Sequence, residues 1–228
     1  MRNFKLKLAA PIVAGALALF ASGAQATQVL SYGQSSNSNT LVATANGGNT
    51  ATTLVISGAA IGVTQFLGGG APFAAFLDLN AASTNNATNT AGVFNQNFSG
   101  TFCISAAVSC GGTRYLYGSF VDLFSGNIGG SSATISATTP PGTFVLFNSD
   151  VLTAAQLGAE RAMGISLSNV TAPLNICTTG ASSTLCSMTA SQSGVFSANN
   201  QRIPEPATLA LLGVALAGLG FVRRRTSA

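Results

Sequence analysis

The stretch Phe98-Ser99-Gly100-Thr101-Phe102-Cys103-Ile104 decides the fold class. In an extended chain Phe98, Phe102 and Ile104 fall on one side, and Ser99 and Thr101 on the other. A period of two gives a sheet one buried and one wet face. The next run, 115–124, carries large apolar residues at both parities. That pattern predicts a central strand covered on both faces, or one at an interface.

Working outward, similar runs punctuated by Gly, Asn, Ser and Pro predict strands over most of the chain. Before the deciding stretch they lie at 28–32, 52–57, 62–67 and 73–80; that stretch itself belongs to a strand at 97–105. After it they lie at 113–124, 133–138, 143–148, 162–170, 185–189 and 194–198. Segments 85–97 and 126–132 read as polar loops. The one helical candidate is 153–160, two turns or fewer, limited by Gly158. Many short strands without helical crossovers predict an all-β, antiparallel β-sandwich or jelly-roll body. A β-solenoid is second, because no steady repeat period supports it. Ser99-Gly100-Thr101-Phe102, Tyr117-Gly118-Ser119-Phe120 and Ser193-Gly194-Val195-Phe196 read as similar strand environments.

The net charge of +4 is concentrated at the ends. Arg2, Lys5, Lys7, Arg223, Arg224 and Arg225 are terminal, whereas between Thr27 and Ile203 the bases are Arg114, Arg161 and Arg202. Against these stand Asp78, Asp122, Asp150 and Glu160. The body is near neutral and has no lysine, which argues against nucleic-acid binding. Charged residues are 6% of the chain, so a polar surface must come from Ser, Thr, Asn and Gly. Such a surface suits a secreted or matrix-embedded protein.

Both ends read as targeting segments. Positive charge at Arg2, Lys5 and Lys7 precedes an apolar run at 8–21, and Ala24-Gln25-Ala26 fits a signal-peptidase site. Residues 1–26 are therefore expected to be a signal peptide, a substrate of the export machinery and signal peptidase. The body follows at 27–198, and a linker at 199–206 contains Pro204-Glu205-Pro206. Residues 207–228 hold an apolar segment and then Arg223-Arg224-Arg225. An apolar helix of about 16 residues would be about 24 Å long, short for a bilayer unless the arginines snorkel. Arginines retained on the cytoplasmic side would leave the body outside.

Pro204-Glu205-Pro206, the apolar segment and the terminal arginines, in that order, resemble the PEP-CTERM sorting signal of Gram-negative bacteria. The resemblance covers roughly the last 25 residues. It implies transient anchoring in the inner membrane through a C-terminal helix, then processing by an exosortase-like enzyme. It further implies delivery to the cell surface or to an exopolysaccharide or biofilm matrix. It does not identify an activity for the body.

Four cysteines, Cys103, Cys110, Cys177 and Cys186, in an exported chain predict disulfides, with three possible connectivities. Cys103–Cys110 and Cys177–Cys186 are favoured because each closes a short loop rich in small or turn-forming residues. A metal site would need closer spacing or histidine partners. The chain has no histidine, so Ser-His-Asp triads, Cys-His pairs and His-ligated metals are impossible. No G-x-S-x-G elbow exists, and Gly68-Gly69-Gly70 lacks the lysine of a phosphate loop. Nothing local pairs the four body carboxylates for glycoside chemistry, and Asp78 reads as an exposed strand residue. No cofactor is expected.

The leading expectation is a non-catalytic surface or matrix protein. The alternatives are a carbohydrate-binding β-sandwich module and a simple membrane-anchored adhesin. Sugar binding commonly uses aromatic platforms, and the chain offers no tryptophan and only Tyr32, Tyr115 and Tyr117. The alternation of Tyr115 and Tyr117 reads as core or interface.

Overall fold

The computed structural model describes residues 26–46, 52–138 and 144–199. They contain thirteen strands and one short helix. The strands are β1 (Thr27–Gln34), β2 (Leu41–Ala45), β3 (Thr52–Phe66), β4 (Phe73–Ser83), β5 (Thr88–Thr90), β6 (Val93–Ala107) and β7 (Gly111–Asn127). They continue as β8 (Ala133–Thr138), β9 (Phe144–Asn148), β10 (Arg161–Thr171), β11 (Ile176–Thr179), β12 (Ser182–Leu185) and β13 (Met188–Ala198). The helix, α1, is Ala154–Leu157.

The antiparallel all-β expectation is met, and the pairing specifies its form. Hydrogen-bonded neighbours run β6-β4-β3-β1-β13-β10-β8-β7, and β7 pairs back onto β6. The main ladder therefore closes as an eight-stranded barrel instead of leaving the free edges of a two-sheet sandwich or jelly roll. Two staves of the barrel are interrupted. β1 and β2 lie one after the other between β13 and β3. β8 and β9 likewise follow one another along β7, at Leu123–Gly126 and then Tyr117–Val121. Closure leaves few edges for other chains to pair with, which a protein so poor in charge needs.

Phenylalanine fills the interior. Phe94, Phe98, Phe120, Phe124, Phe147 and Phe196 are fully buried. Phe196 stacks on Phe102 at 4.8 Å between centroids and meets Phe147 edge-on at 5.9 Å. An eight-stranded barrel is just wide enough for side chains to fill. The outward positions of the same strands are largely Ser, Thr, Asn and Ala. This apolar-in, polar-out alternation is the reverse of a membrane-spanning barrel, which turns its apolar face to lipid.

The three Gly-x-Phe recurrences gain a physical reason. Gly100 stands opposite Phe120, and Phe102 opposite Gly118, across the β6–β7 ladder. Gly194 pairs with Tyr32, whose ring would lie 2.5 Å from a Cβ there. Glycine gives the strands room to approach and coil, and the neighbouring aromatic ring fills the interior.

Both ends of the barrel are covered. At one, the β11–β12 hairpin is tied in by buried polar groups: Gln96 Nε2 donates to Thr184 Oγ1 at 3.1 Å, and Leu185 N donates to Gln96 Oε1 at 2.9 Å. Thr52 Oγ1 donates to Leu185 O at 2.7 Å, and Leu174 and Leu185 are buried beside them. At the other end, Phe66, Phe73 and Tyr115 form a cluster with centroids 4.5–5.9 Å apart. Leu152 and Leu157 are also buried. α1 is one turn, shorter than the expected segment. Thr153 and Gln156 form its capping box, and Gly158 ends it.

The strand boundaries differ from expectation where bulges occur. Segments 52–57 and 62–67 are one strand, β3, whose register shifts between Ile56 and Ala59. Residues 188–189 of the segment 185–189 likewise merge with 194–198 into β13, whereas Leu185 ends β12 and residues 186–187 lie between the two strands. Part of the expected loop at 85–97 is strand, in β5 and the start of β6, and β2 and β11 are additional.

Candidate functional site

Both expected disulfides are present. Cys103 and Cys110 bridge at a Cα separation of 5.6 Å, and Cys177 and Cys186 at 5.0 Å. The first folds the tip of the β6–β7 hairpin over the outer face of the barrel. The second closes the hairpin that covers one barrel end.

The hairpin tip is fixed by Asp78, which is not a free surface carboxylate. Its Oδ1 accepts from Gly58 N at 2.8 Å, and its Oδ2 accepts from Cys110 N at 3.1 Å. The tip thereby borders an outer groove of about 470 Å³ across β3, β4, β6 and β7. Val55, Asn80 and Thr101 sit side by side in register along it, and Tyr117 lines it too. The Arg114 guanidinium lies 4.0 Å from the Tyr117 ring centroid. Asp150 holds that guanidinium through Nε at 3.1 Å and Nη2 at 2.9 Å. This fork keeps Asp150 below the usual carboxylate range and Arg114 above its own.

The three tyrosines occupy three environments. Tyr32 is buried at 4% exposure, and burial pushes its phenol well up. Tyr115 and Tyr117 do not share an environment as their spacing suggests. The β6–β7 register shifts between Ile104 and Ser105, and this bulge leaves Tyr115 with Phe66 and Phe73 while Tyr117 lines the groove. Only Tyr117 presents part of its ring to the groove, with Arg114 stacked on it.

The other carboxylates are dispersed. Glu160 Oε2 accepts from Asn199 Nδ2 at 2.9 Å. Asp122 is fully buried, between the β9-paired and β8-paired parts of β7. Its Oδ1 accepts from Leu123 N, whereas its Oδ2 has no hydrogen-bond partner. Burial pushes this carboxyl up to about 7, against the opposing pull of the Leu123 and Ser136 N–H groups. Sequence reasoning did not single it out, although Phe120-x-Asp122-x-Phe124 places it on the same face as two core rings. Among the described residues no cluster of three or more His, Cys, Asp or Glu side chains could hold a metal.

Of the signal-cleavage pair, Ala26 is described and exposed, and it directly precedes β1. Ala24 lies outside the described residues, as do Pro204, Glu205, Pro206, Arg223, Arg224, Arg225 and the apolar segment between them. Among the described residues no helix is long and apolar enough to cross a membrane. β13 ends at Ala198, and Asn199, the last described residue, is held by Glu160.

Residues 202–225 match the PEP-CTERM protein-sorting motif. The match takes in Pro204, Glu205, Pro206 and all three terminal arginines. The motif marks an exported protein that is processed by exosortase-type machinery. Comparisons with curated proteins and with solved structures return no match.

Proposed function

We propose that this chain is a non-catalytic protein of the cell surface or extracellular matrix, delivered there when an exosortase-type enzyme processes its C-terminal motif. The observation that carries the reading is the sorting motif at 202–225, directly after a body whose last strand ends at Ala198. The body's chemistry supports a structural role. Asp78 fixes a hairpin, Asp150 fixes Arg114, Glu160 holds Asn199, and Asp122 is enclosed in the barrel. No two of these carboxylates share a cleft in the arrangement that acid–base hydrolysis of a glycoside requires. Tyrosine geometry gives little support to a module that stacks sugars on aromatic platforms. A Gram-negative matrix of exopolysaccharide is the destination the motif favours.

The test replaces Pro204 and Pro206 with Ala. Hydrophobicity and topology change little, so a plain membrane anchor or anchored adhesin would be unaffected. A sorting signal would fail, and a longer precursor would accumulate in the inner membrane of an exosortase-containing host. Neutralising Arg223, Arg224 and Arg225 disturbs topology in either case and serves as the control. Intact mass and membrane fractionation read the result. Full-length wild-type protein in the inner membrane, insensitive to the proline changes, would overturn the reading.

A further inference from the structure

The break between β1 and β2 builds a second recess, on the outer face of β13. Residues 35–40 leave the barrel wall there and are pinned to two distant strands. Asn39 Nδ2 donates to Asn169 O at 2.8 Å, Thr171 Oγ1 at 3.0 Å and Thr189 Oγ1 at 3.1 Å. Asn39 Oδ1 accepts from Ser191 Oγ at 2.9 Å. Gln34 braces the same excursion from its base: its Oε1 accepts from Thr40 Oγ1 at 2.8 Å and from Gln192 N at 3.2 Å. On the far side the β10–β13 register slips between Ser168 and Thr171, and Asn169 takes a left-handed φ of 51°.

The result is a recess of about 400 Å³, within the size range of small-molecule sites. Among the described residues its lining consists of Ser, Asn and Gln. Asn37, Ser168, Asn169 and Ser193 line it, and their side chains make no hydrogen bond among the described residues. Gln192 also touches it, but its side chain points the other way, into the barrel, opposite buried Leu167 and in the same inward row as Ala190 and Phe196. The four outward side chains without a protein partner are left to bond water or a ligand.

The lining selects the ligand class. No charged side chain is present to attract an anion. No carboxylate is present, as calcium sites normally require. No apolar residue is present to hold a lipid or aromatic group. Carboxamides and hydroxyls donate and accept alternately, which matches a ligand that does the same. We infer that this recess binds a neutral sugar unit, through hydrogen bonds instead of aromatic stacking. The inference names a ligand class for the body proposed above to reside in a polysaccharide matrix. It is tested separately, because sorting is decided by the proline variants.

The experiment titrates the exported protein, recovered from its host, with neutral tetrasaccharides of glucose, galactose and mannose, and with tetragalacturonate as an acidic control. Affinity electrophoresis in gels containing the matching neutral polymers distinguishes a chain-embedded unit from a free oligosaccharide. At least one neutral probe should bind, and the acidic one should bind at least tenfold more weakly. Asn37→Ala and Ser193→Ala, both at the surface, should each weaken binding severalfold and together at least tenfold. Tyr117→Ala in the other groove should not. Absence of binding to every neutral probe would overturn the inference. So would equal binding of the acidic probe, or binding lost with Tyr117→Ala and kept in the Asn37 and Ser193 variants.

Discussion

Thr27, the first residue of β1, stands opposite Ala198, the last residue of β13, across an antiparallel ladder. The first and last strands of the body therefore begin and end side by side. This pairing constrains where the signal peptide can be removed. Val29 and Leu30, two and three residues on from Thr27, are fully buried. Cleavage after Ala26 leaves the whole of β1 intact. The mature N-terminus of the exported protein is expected to be Thr27, checked by N-terminal sequencing. A start within β1 would strip core residues, and a retained Met1 would show that the segment is not removed.

The disulfides close loops with sequence separations of 7 and 9 residues. In the chain-entropy account, loops this short contribute about 2–3 kcal/mol each. Replacing Cys177 and Cys186 with Ser should cost more than replacing Cys103 and Cys110. The former pair closes the hairpin that carries buried Leu185 and Thr184 into the barrel end, and the latter ties down a surface lip. Thermal unfolding of the two double variants checks the order. Peptide mapping without reductant should recover each pair, and free thiols in exported protein would contradict it.

Gly118 and Gly164 make a matched pair of tests. A Cβ on Gly118 would lie 1.9 Å from Leu146 O, a backbone atom that cannot swing aside. A Cβ on Gly164 meets nothing within 4 Å. Gly118→Ala is expected to destabilise by about 3 kcal/mol or more, as overpacking against fixed backbone does. Gly164→Ala should be neutral or slightly stabilising, because it lowers the entropy of the unfolded chain. Comparable melting temperatures for the two variants would contradict the close approach of β7 and β9.

Strand character and export architecture were legible because each rests on local order. Period-two alternation at 98–104 and the sequence from Pro204 to Arg225 both read without tertiary information. Closure was not legible. It depends on β7 pairing with β6 along its length while its other edge is shared by β8 and β9. Bulges hid other features: β3 read as two strands, and Tyr115 and Tyr117 read as one environment. The recess over β13 was invisible for a different reason. Its walls come from residues 36–37, 168–169 and 191–193, and the β10–β13 ladder with the long-range bonds of Gln34 and Asn39 brings them together.

The buried carboxyl of Asp122 predicts an unusual pH dependence. Its folded value is about 7, against an ordinary unfolded value of about 4. Below about pH 4 the group is protonated in both states, and its contribution is fully present. Between about pH 4 and pH 7 the folded state retains a proton that the unfolded state has lost. Stability therefore falls as pH rises through this window, and levels off above it. The loss is a few kcal/mol at most, since each pH unit in the window is worth about 1.4 kcal/mol. Asp122→Asn keeps an oxygen that can accept from Leu123 N and removes the charge. The variant should match wild type near pH 4, exceed its melting temperature at pH 8, and show a flatter profile between. Thermal unfolding at half-unit steps from pH 4 to 8 measures this directly. A wild-type profile that rises with pH in this window, or an Asn variant equally sensitive to pH, would show that Asp122 is not the group responsible.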